Sequence, residues 1–363
     1  MIYLDHNATA PMLTGVREAM LPWLGIPANP ASVHRAGQQA AVAVERAREQ
    51  VAALVGGEPS GVVFTSGATE ANHMALRGAA HGLSADDVIA ISAIEHPCVF
   101  AAAESTGCRV TAIPVDAQGR VLVDAIPAEA RVVSVMAVNH ETGVIQDTEA
   151  VAERFSGRAF FHVDAVQAVG RIAVRQGAVD AMVLSSHKLG GPAGVGAVVL
   201  RDGEPFPNLL GGGAQERGRR GGTVNVAGVV GFGVACALAQ REREARQAHY
   251  QRLAQVLRPR LVSLGARIVG EGAARVPSVT TVVFPGVIGE TVVQSLDLAG
   301  ICVSHGAACA SGSLEPSPVL LAMGDPEPRG GVRLSMGPHT TLAEIDATCA
   351  ALERMLPLLA SGL

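Results

Sequence analysis

Short apolar runs that do not alternate with polar residues constrain this chain most. They are Val62-Val63-Phe64, Val88-Ile89-Ala90-Ile91, Val110-Thr111-Ala112-Ile113, Val132-Val133-Ser134-Val135, Phe160-Phe161-His162-Val163 and Met182-Val183-Leu184. A strand with one wet face alternates; a strand covered on both faces does not. Most of the runs are separated by enough residues for a crossover helix. The pattern therefore predicts an α/β fold with a mainly parallel central sheet flanked by helices. Aromatic residues make up only 3% of the chain, so the covering layers must pack closely on small aliphatic side chains.

Residues 37 to 55 carry apolar positions at helical spacing and run into a Gly-Gly-Glu-Pro breaker at 56 to 59, which predicts a helix ending in a turn. A long charged helix is expected from about 237 to 256, bridging two lobes. Downstream, Val279 to Phe284 reads as a strand, Glu290 to Leu298 as a helix, Ile301 to Ser304 as a strand and Leu342 to Leu356 as a helix. The second lobe is thus expected to be smaller and α+β.

A net charge of -5 with 17% charged residues gives no basic surface for nucleic acid or anionic lipid. No basic segment followed by an apolar stretch opens the chain, and no run of transmembrane length occurs, so a cytoplasmic location without membrane partners is expected. The six cysteines, at 98, 108, 236, 302, 309 and 349, show neither Cys-x-x-Cys metal spacing nor the density of a disulfide scaffold. No metal site is expected.

Candidate chemistry sits where the apolar runs end. Val62-Val63-Phe64 leads into Thr65-Ser66-Gly67-Ala68-Thr69-Glu70-Ala71-Asn72, where a helix N-terminus can receive a phosphate, although an ordinary N-cap is the favoured explanation of this stretch when it stands alone. Met182-Val183-Leu184 leads into Ser185-Ser186-His187-Lys188-Leu189-Gly190-Gly191. Lys188 is the only lysine of the chain. A partly desolvated amine can condense with an aldehyde, which an arginine cannot do. Asp164 closes a buried run and needs a cation or several donors; a protonated pyridine nitrogen and a helix N-terminus are alternative partners. His96, after the run ending at Ile91, can stack on a ring or move protons.

These motifs, with Tyr3-Leu4-Asp5-His6-Asn7-Ala8-Thr9, Asn29-Pro30-Ala31-Ser32-Val33-His34 and Val332-Arg333-Leu334-Ser335-Met336-Gly337, resemble in order and separation those of the cysteine desulfurases in the class-V aminotransferase group. The resemblance covers nearly the whole chain. It implies a fold-type I transferase dependent on pyridoxal 5'-phosphate. A large cofactor-binding domain would span 15–255, and a small domain of 1–14 and 256–363 would carry the catalytic cysteine loop. It further implies that Lys188 joins the cofactor covalently, Asp164 pairs with the ring nitrogen, Gln167 and His140 approach the ring hydroxyl, and His96 stacks on the ring. Ala68, Thr69, Ser186 and His187 would hold the phosphate, and Thr223, in Glu216-Arg217-Gly218-Arg219-Arg220-Gly221-Gly222-Thr223, would reach the neighbouring site of a homodimer. Arg333 would grip the substrate carboxylate, with Asn139 beside it.

Cys302-Val303-Ser304-His305-Gly306-Ala307-Ala308-Cys309-Ala310-Ser311-Gly312-Ser313 is similar to the family loop with the nucleophilic cysteine. Its small residues suit a loop that carries the Cys309 thiol from substrate to acceptor, with His96 as the nearest base. The implied activity converts L-cysteine to L-alanine and leaves a persulfide on Cys309 for an acceptor protein, such as an iron–sulfur scaffold or a tRNA thiolation factor. A selenocysteine lyase, or another class-V lyase or aminotransferase, is the alternative enzyme. A sulfur carrier or regulatory partner without catalysis is the alternative of a different class, and the presence of Lys188, Asp164 and Arg333 argues against it. The chain departs from the family in two places: His140 stands where many relatives have a second asparagine, and the stretch from Cys309 to Arg333 is shorter, which bears on scaffold docking.

Overall fold

The computed structural model describes residues 1–201, 206–208, 210–305 and 315–360. The apolar runs form one sheet. Strands β2 (Val62–Thr65), β3 (Val88–Ser92), β4 (Arg109–Ile113), β5 (Ala130–Ser134), β6 (Phe160–Asp164), β7 (Ala181–Ser185) and β8 (Gly196–Leu200) lie in the order β2-β8-β7-β6-β5-β3-β4. β4, β3, β5, β6 and β7 are mutually parallel, and β8 runs against both β7 and β2. The expected mainly parallel sheet is present, with one antiparallel strand that the run pattern does not foretell. β2, β3, β7 and β8 are buried at every position, as covering on both faces requires.

Helices α1 (Thr14–Leu24), α2 (Arg35–Val55), α3 (Ala68–Ala79), α4 (Pro97–Glu104) and α5 (Thr148–Phe155) are interspersed among these strands. The expected helix at 37 to 55 is α2. The expected helix at 237 to 256 is the middle of α6 (Val226–Ser263), a 38-residue element. Its first half buries Val226, Val229, Phe232 and Ala235 in the core beneath the large sheet, and its second half buries Tyr250, Leu253, Leu257 and Leu261 in another core.

That second core is built by β9 (Arg267–Ile268), β10 (Val279–Val283), α7 (Gly289–Leu298), β11 (Ile301–Cys302), β12 (Gly331–Ser335) and α9 (Leu342–Ala360), with antiparallel order β12-β10-β9, while α8 (Pro318–Ala322) buries Val319 and Leu320 in a separate cluster with Ile94 and Val283. The chain start joins it, because β1 (Ile2–Tyr3) pairs in parallel with β11 and Asp5 bridges to Ser335. From there residues 5 to 11 cross to the large sheet. This crossing brings Asp5, Asn7 and Ala8 to the place where the sheet's strands end.

Candidate active site

β2, β3, β5, β6 and β7 all point their C-terminal ends at one edge of the sheet, where parallel strands collect ligand-binding loops. β2 delivers Ser66 and the N-terminus of α3, β3 delivers Glu95 and His96, β5 delivers His140, β6 delivers Asp164 and Gln167, and β7 delivers Ser185, His187 and Lys188. These residues wall one cavity of about 1050 Å³, closed on the far side by Asn7, Ala8, Pro318 and Arg333. A β-carbon at Gly196, the first residue of β8, would come within 2.7 Å of the Gly67 backbone, so glycine there lets β8 pass beneath the loop that opens α3.

Lys188 donates through Nζ to the carbonyl oxygens of Asn7 at 2.5 Å and Ala8 at 2.7 Å. Opposite it, Asp164 is 6% exposed and accepts at Oδ2 from Asn72 Nδ2 at 3.0 Å and at Oδ1 from the Val166 amide at 3.0 Å. Gln167 donates to the Asn7 carbonyl at 3.1 Å. Its Oε1, like Asn7 Oδ1, is buried with no hydrogen-bond partner. Such atoms cost stability unless a ligand meets them.

His96 caps α4, its Nδ1 accepting from the Cys98 amide at 3.2 Å. With Nδ1 committed, the neutral ring carries its proton on Nε2, where it is a hydrogen-bond donor. The ring meets His140 edge to face, centroids 5.4 Å apart. Burial pushes His140 well below the ordinary histidine range, and His96, Arg333 and Lys188 push the same way. It is a neutral ring with Nδ1 buried and unsatisfied. His187 hydrogen-bonds Thr9 Oγ1 at 3.1 Å and titrates at about 4, lowered by burial and then by Lys188.

Arg333 is 1% exposed, donating from Nη2 to Asp5 Oδ1 at 2.9 Å and from Nη1 to the His140 carbonyl at 3.1 Å. Asp5 thus holds one side of the fork. Glu95 is 3% exposed, and its Oε1 accepts the Met136 amide while Oε2 has no partner. Burial, and then the nearby Asp164, raise its carboxyl well above the usual carboxylate range.

Of the residues expected from sequence, Ala68, Thr69, His96, His140, Asp164, Gln167, His187, Lys188 and Arg333 line this one cavity. Ser186 does not. It is fully buried and faces Gly191, where an added β-carbon would come within 2.1 Å of its hydroxyl. Because side chains alternate at a strand end, its neighbour Ser185 is the serine on the wall. Asn139 is also turned away: Nδ2 donates to the Ile94 carbonyl at 3.0 Å, and Oδ1 accepts from the Glu141 and Thr142 amides and the Thr142 hydroxyl. Both polar side-chain atoms of Asn139 are spent on loop residues and not on the cavity. Thr223 is exposed and outside the cavity wall, and Cys309 lies outside the described residues.

Asp5, Asn7, Asn72, Glu95 and Ser185 belong to the site although sequence reasoning gave them no role. Asn72 lies in a quoted motif, within α3, but only its bond to Asp164, 92 residues away, reveals its work. The wall can hold an aldehyde cofactor that has a basic ring nitrogen and a phosphate. Asp164 suits the nitrogen, Lys188 the aldehyde, and the exposed first turn of α3 with Ser185 and His187 suits the phosphate.

The model of the class-V aminotransferases matches residues 2–348. A cysteine desulfurase of Cereibacter sphaeroides is 42% identical over 361 residues, covering 95% of this chain and 93% of that one. A NifS-like protein from Rickettsia africae ESF-5 superimposes with a TM-score of 0.90 at 30% identity, over 98% of this chain and 99% of its own. SspA in complex with cysteine superimposes with a TM-score of 0.81 at 30% identity, over 94% and 100% of the two chains. The fold is that of the fold-type I pyridoxal phosphate enzymes. With sequence, topology and the convergence on one strand edge in agreement, the chain belongs to the class-V aminotransferase family.

Proposed function

We propose that the protein is a pyridoxal-phosphate-dependent cysteine desulfurase. The observation that carries this reading is the convergence of Lys188, the Asn72-held Asp164 and the Asp5-held Arg333 on one cavity. The names of its relatives support the same reading. Pyridoxal phosphate, when bound, supplies an electron sink that loosens the substrate's α-proton and carbon–sulfur bond.

Arg333 then grips the substrate carboxylate, a planar fork for a planar group. Lys188 Nζ takes the α-proton and returns it. His96 stacks on the ring and donates a hydrogen bond from Nε2, and Ala68, Thr69, Ser185 and His187 hold the phosphate. The Cys309 thiolate attacks the substrate sulfur, and the carbon–sulfur bond breaks with its electron pair left on carbon, which is protonated. L-cysteine and the Cys309 thiol thus become L-alanine and a Cys309 persulfide. An acceptor protein receives that sulfur. The division into 15–255 and 1–14 with 256–363 belongs to the same reading, as does a homodimer in which Thr223 serves the neighbouring site.

The test is Cys309→Ser, loaded with cofactor and given L-cysteine and a thiol reductant. It keeps the cofactor's visible absorbance and releases no sulfide; sulfide at the wild-type rate would remove Cys309 from the reaction.

A further inference from the structure

On the other side of the 5–11 crossing lies a second cavity, of about 310 Å³, bounded by Arg171, Arg246, Tyr250, His6, His339 and the stem of Lys188. Nothing in the proposed desulfurase reaction uses it. Arg171 follows the turn after β6, and its Nη1 is buried without a hydrogen-bond partner. His6 Nδ1 in the same wall is likewise buried and unpartnered. A guanidinium withdrawn from water is costly unless an anion accompanies it.

Asp5 pairs with Arg333 at 2.9 Å, and Glu242 pairs with Arg246 of the wall at 2.8 Å. Among the described residues Glu344 is the one carboxylate on the wall, accepting from the Thr341 amide at 2.7 Å and its hydroxyl at 3.0 Å. The basic side chains of the wall, Arg171, Arg246 and Lys188, outnumber it. Burial, and the nearby charge of Arg333, push Arg171 down to about 10, against an opposing pull from Tyr250. It remains a cation at neutral pH.

The donors come from several directions: Arg171 from the large sheet, Arg246 and Tyr250 from α6, and His6 from the crossing. A planar carboxylate meets one fork, whereas a tetrahedral anion offers acceptors all round. We propose that this cavity binds a tetrahedral oxyanion of the phosphate or sulfate type, with Arg171 as its principal ligand.

The experiment uses the cofactor-loaded enzyme, so that the cofactor's own phosphate fills the first turn of α3. Inorganic phosphate and sulfate are titrated separately by calorimetry at constant ionic strength. Binding of either one, weakened by about tenfold or more in Arg171→Gln, is expected, since hydrogen bonds to a charged group carry about that much. Equal affinity in Arg171→Gln and wild type, or no binding of either anion to wild type, overturns the proposal. Should Arg171→Gln fail to fold, selenate soaked into wild-type crystals decides. Anomalous density within hydrogen-bond reach of Arg171 supports the site, and a cavity without it overturns the site. A failure of desulfurase activity leaves both readouts intact.

Discussion

Asp164 and Glu95 are buried carboxyl groups in one wall, and their partners differ. Asp164 receives an amide and the Asn72 side chain, whereas Glu95 receives one amide and lies in the field of Asp164. A group whose folded pKa stands above its unfolded value of about 4.5 stabilises fully below that pH, and the contribution is lost as pH rises. Glu95→Gln carries no titrating group there. Its midpoint of thermal unfolding, relative to wild type in the cofactor-free protein, is therefore expected to climb as pH rises above about 4.5. A difference that stays flat with pH would mean that Glu95 is ionised in the folded protein. At this scale the sequence disclosed residues that end apolar runs, such as Asp164, Lys188 and His96. It did not disclose Asp5, Asn7 or Asn72, whose roles rest on bonds to residues 92 to 328 positions away. Choosing between Ser185 and Ser186 required the strand's register.

Elements were legible where local preference and packing agree. α2 and the fully buried strands follow their apolar pattern, while α6 extends eleven residues before its charged stretch because Gly228, Gly231 and Gly233 conceal a helix. A β-carbon at Gly233 would lie 2.7 Å from Ala47 Cα, so Gly233 serves the approach of α6 to α2. β12 escaped notice as a strand because Arg333 interrupts its apolar run. The segment before Thr223 is fixed by Glu216, which pairs with Arg48 at 2.8 Å and accepts the Phe64 amide at 2.8 Å, both side chains of the pair being 3% exposed. Glu216 and Arg217 hold φ of 48° and 59° there, a conformation that costs non-glycine residues energy and persists only when the surroundings impose it. An anchored base suits a segment that reaches outward. If Thr223 serves the partner's site, mixing Lys188→Ala with Thr223→Glu chains yields mixed dimers with one intact site, so cofactor binding with activity near half that of wild type per mixed dimer is expected. If Thr223 serves its own chain, no mixed dimer has an intact site and activity stays absent.

On the scale of the whole molecule, two cores joined by α6 and by the 5–11 crossing enclose both cavities. The parallel sheet supplies rigid strand ends, and the second core brings Arg333 against them. The fold class was readable because a buried parallel sheet leaves an unmistakable run pattern; the meeting of the two cores was not, because it depends on a chain start paired with residues some 300 positions on. The central claim concerns where the sulfur goes. One turnover of the cofactor-loaded enzyme with L-cysteine, followed by alkylation and peptide mass spectrometry, measures this directly. One added sulfur atom is expected on the peptide containing Cys309, in step with the L-alanine formed; alanine formed with no sulfur on Cys309 would rule out transfer to that thiol.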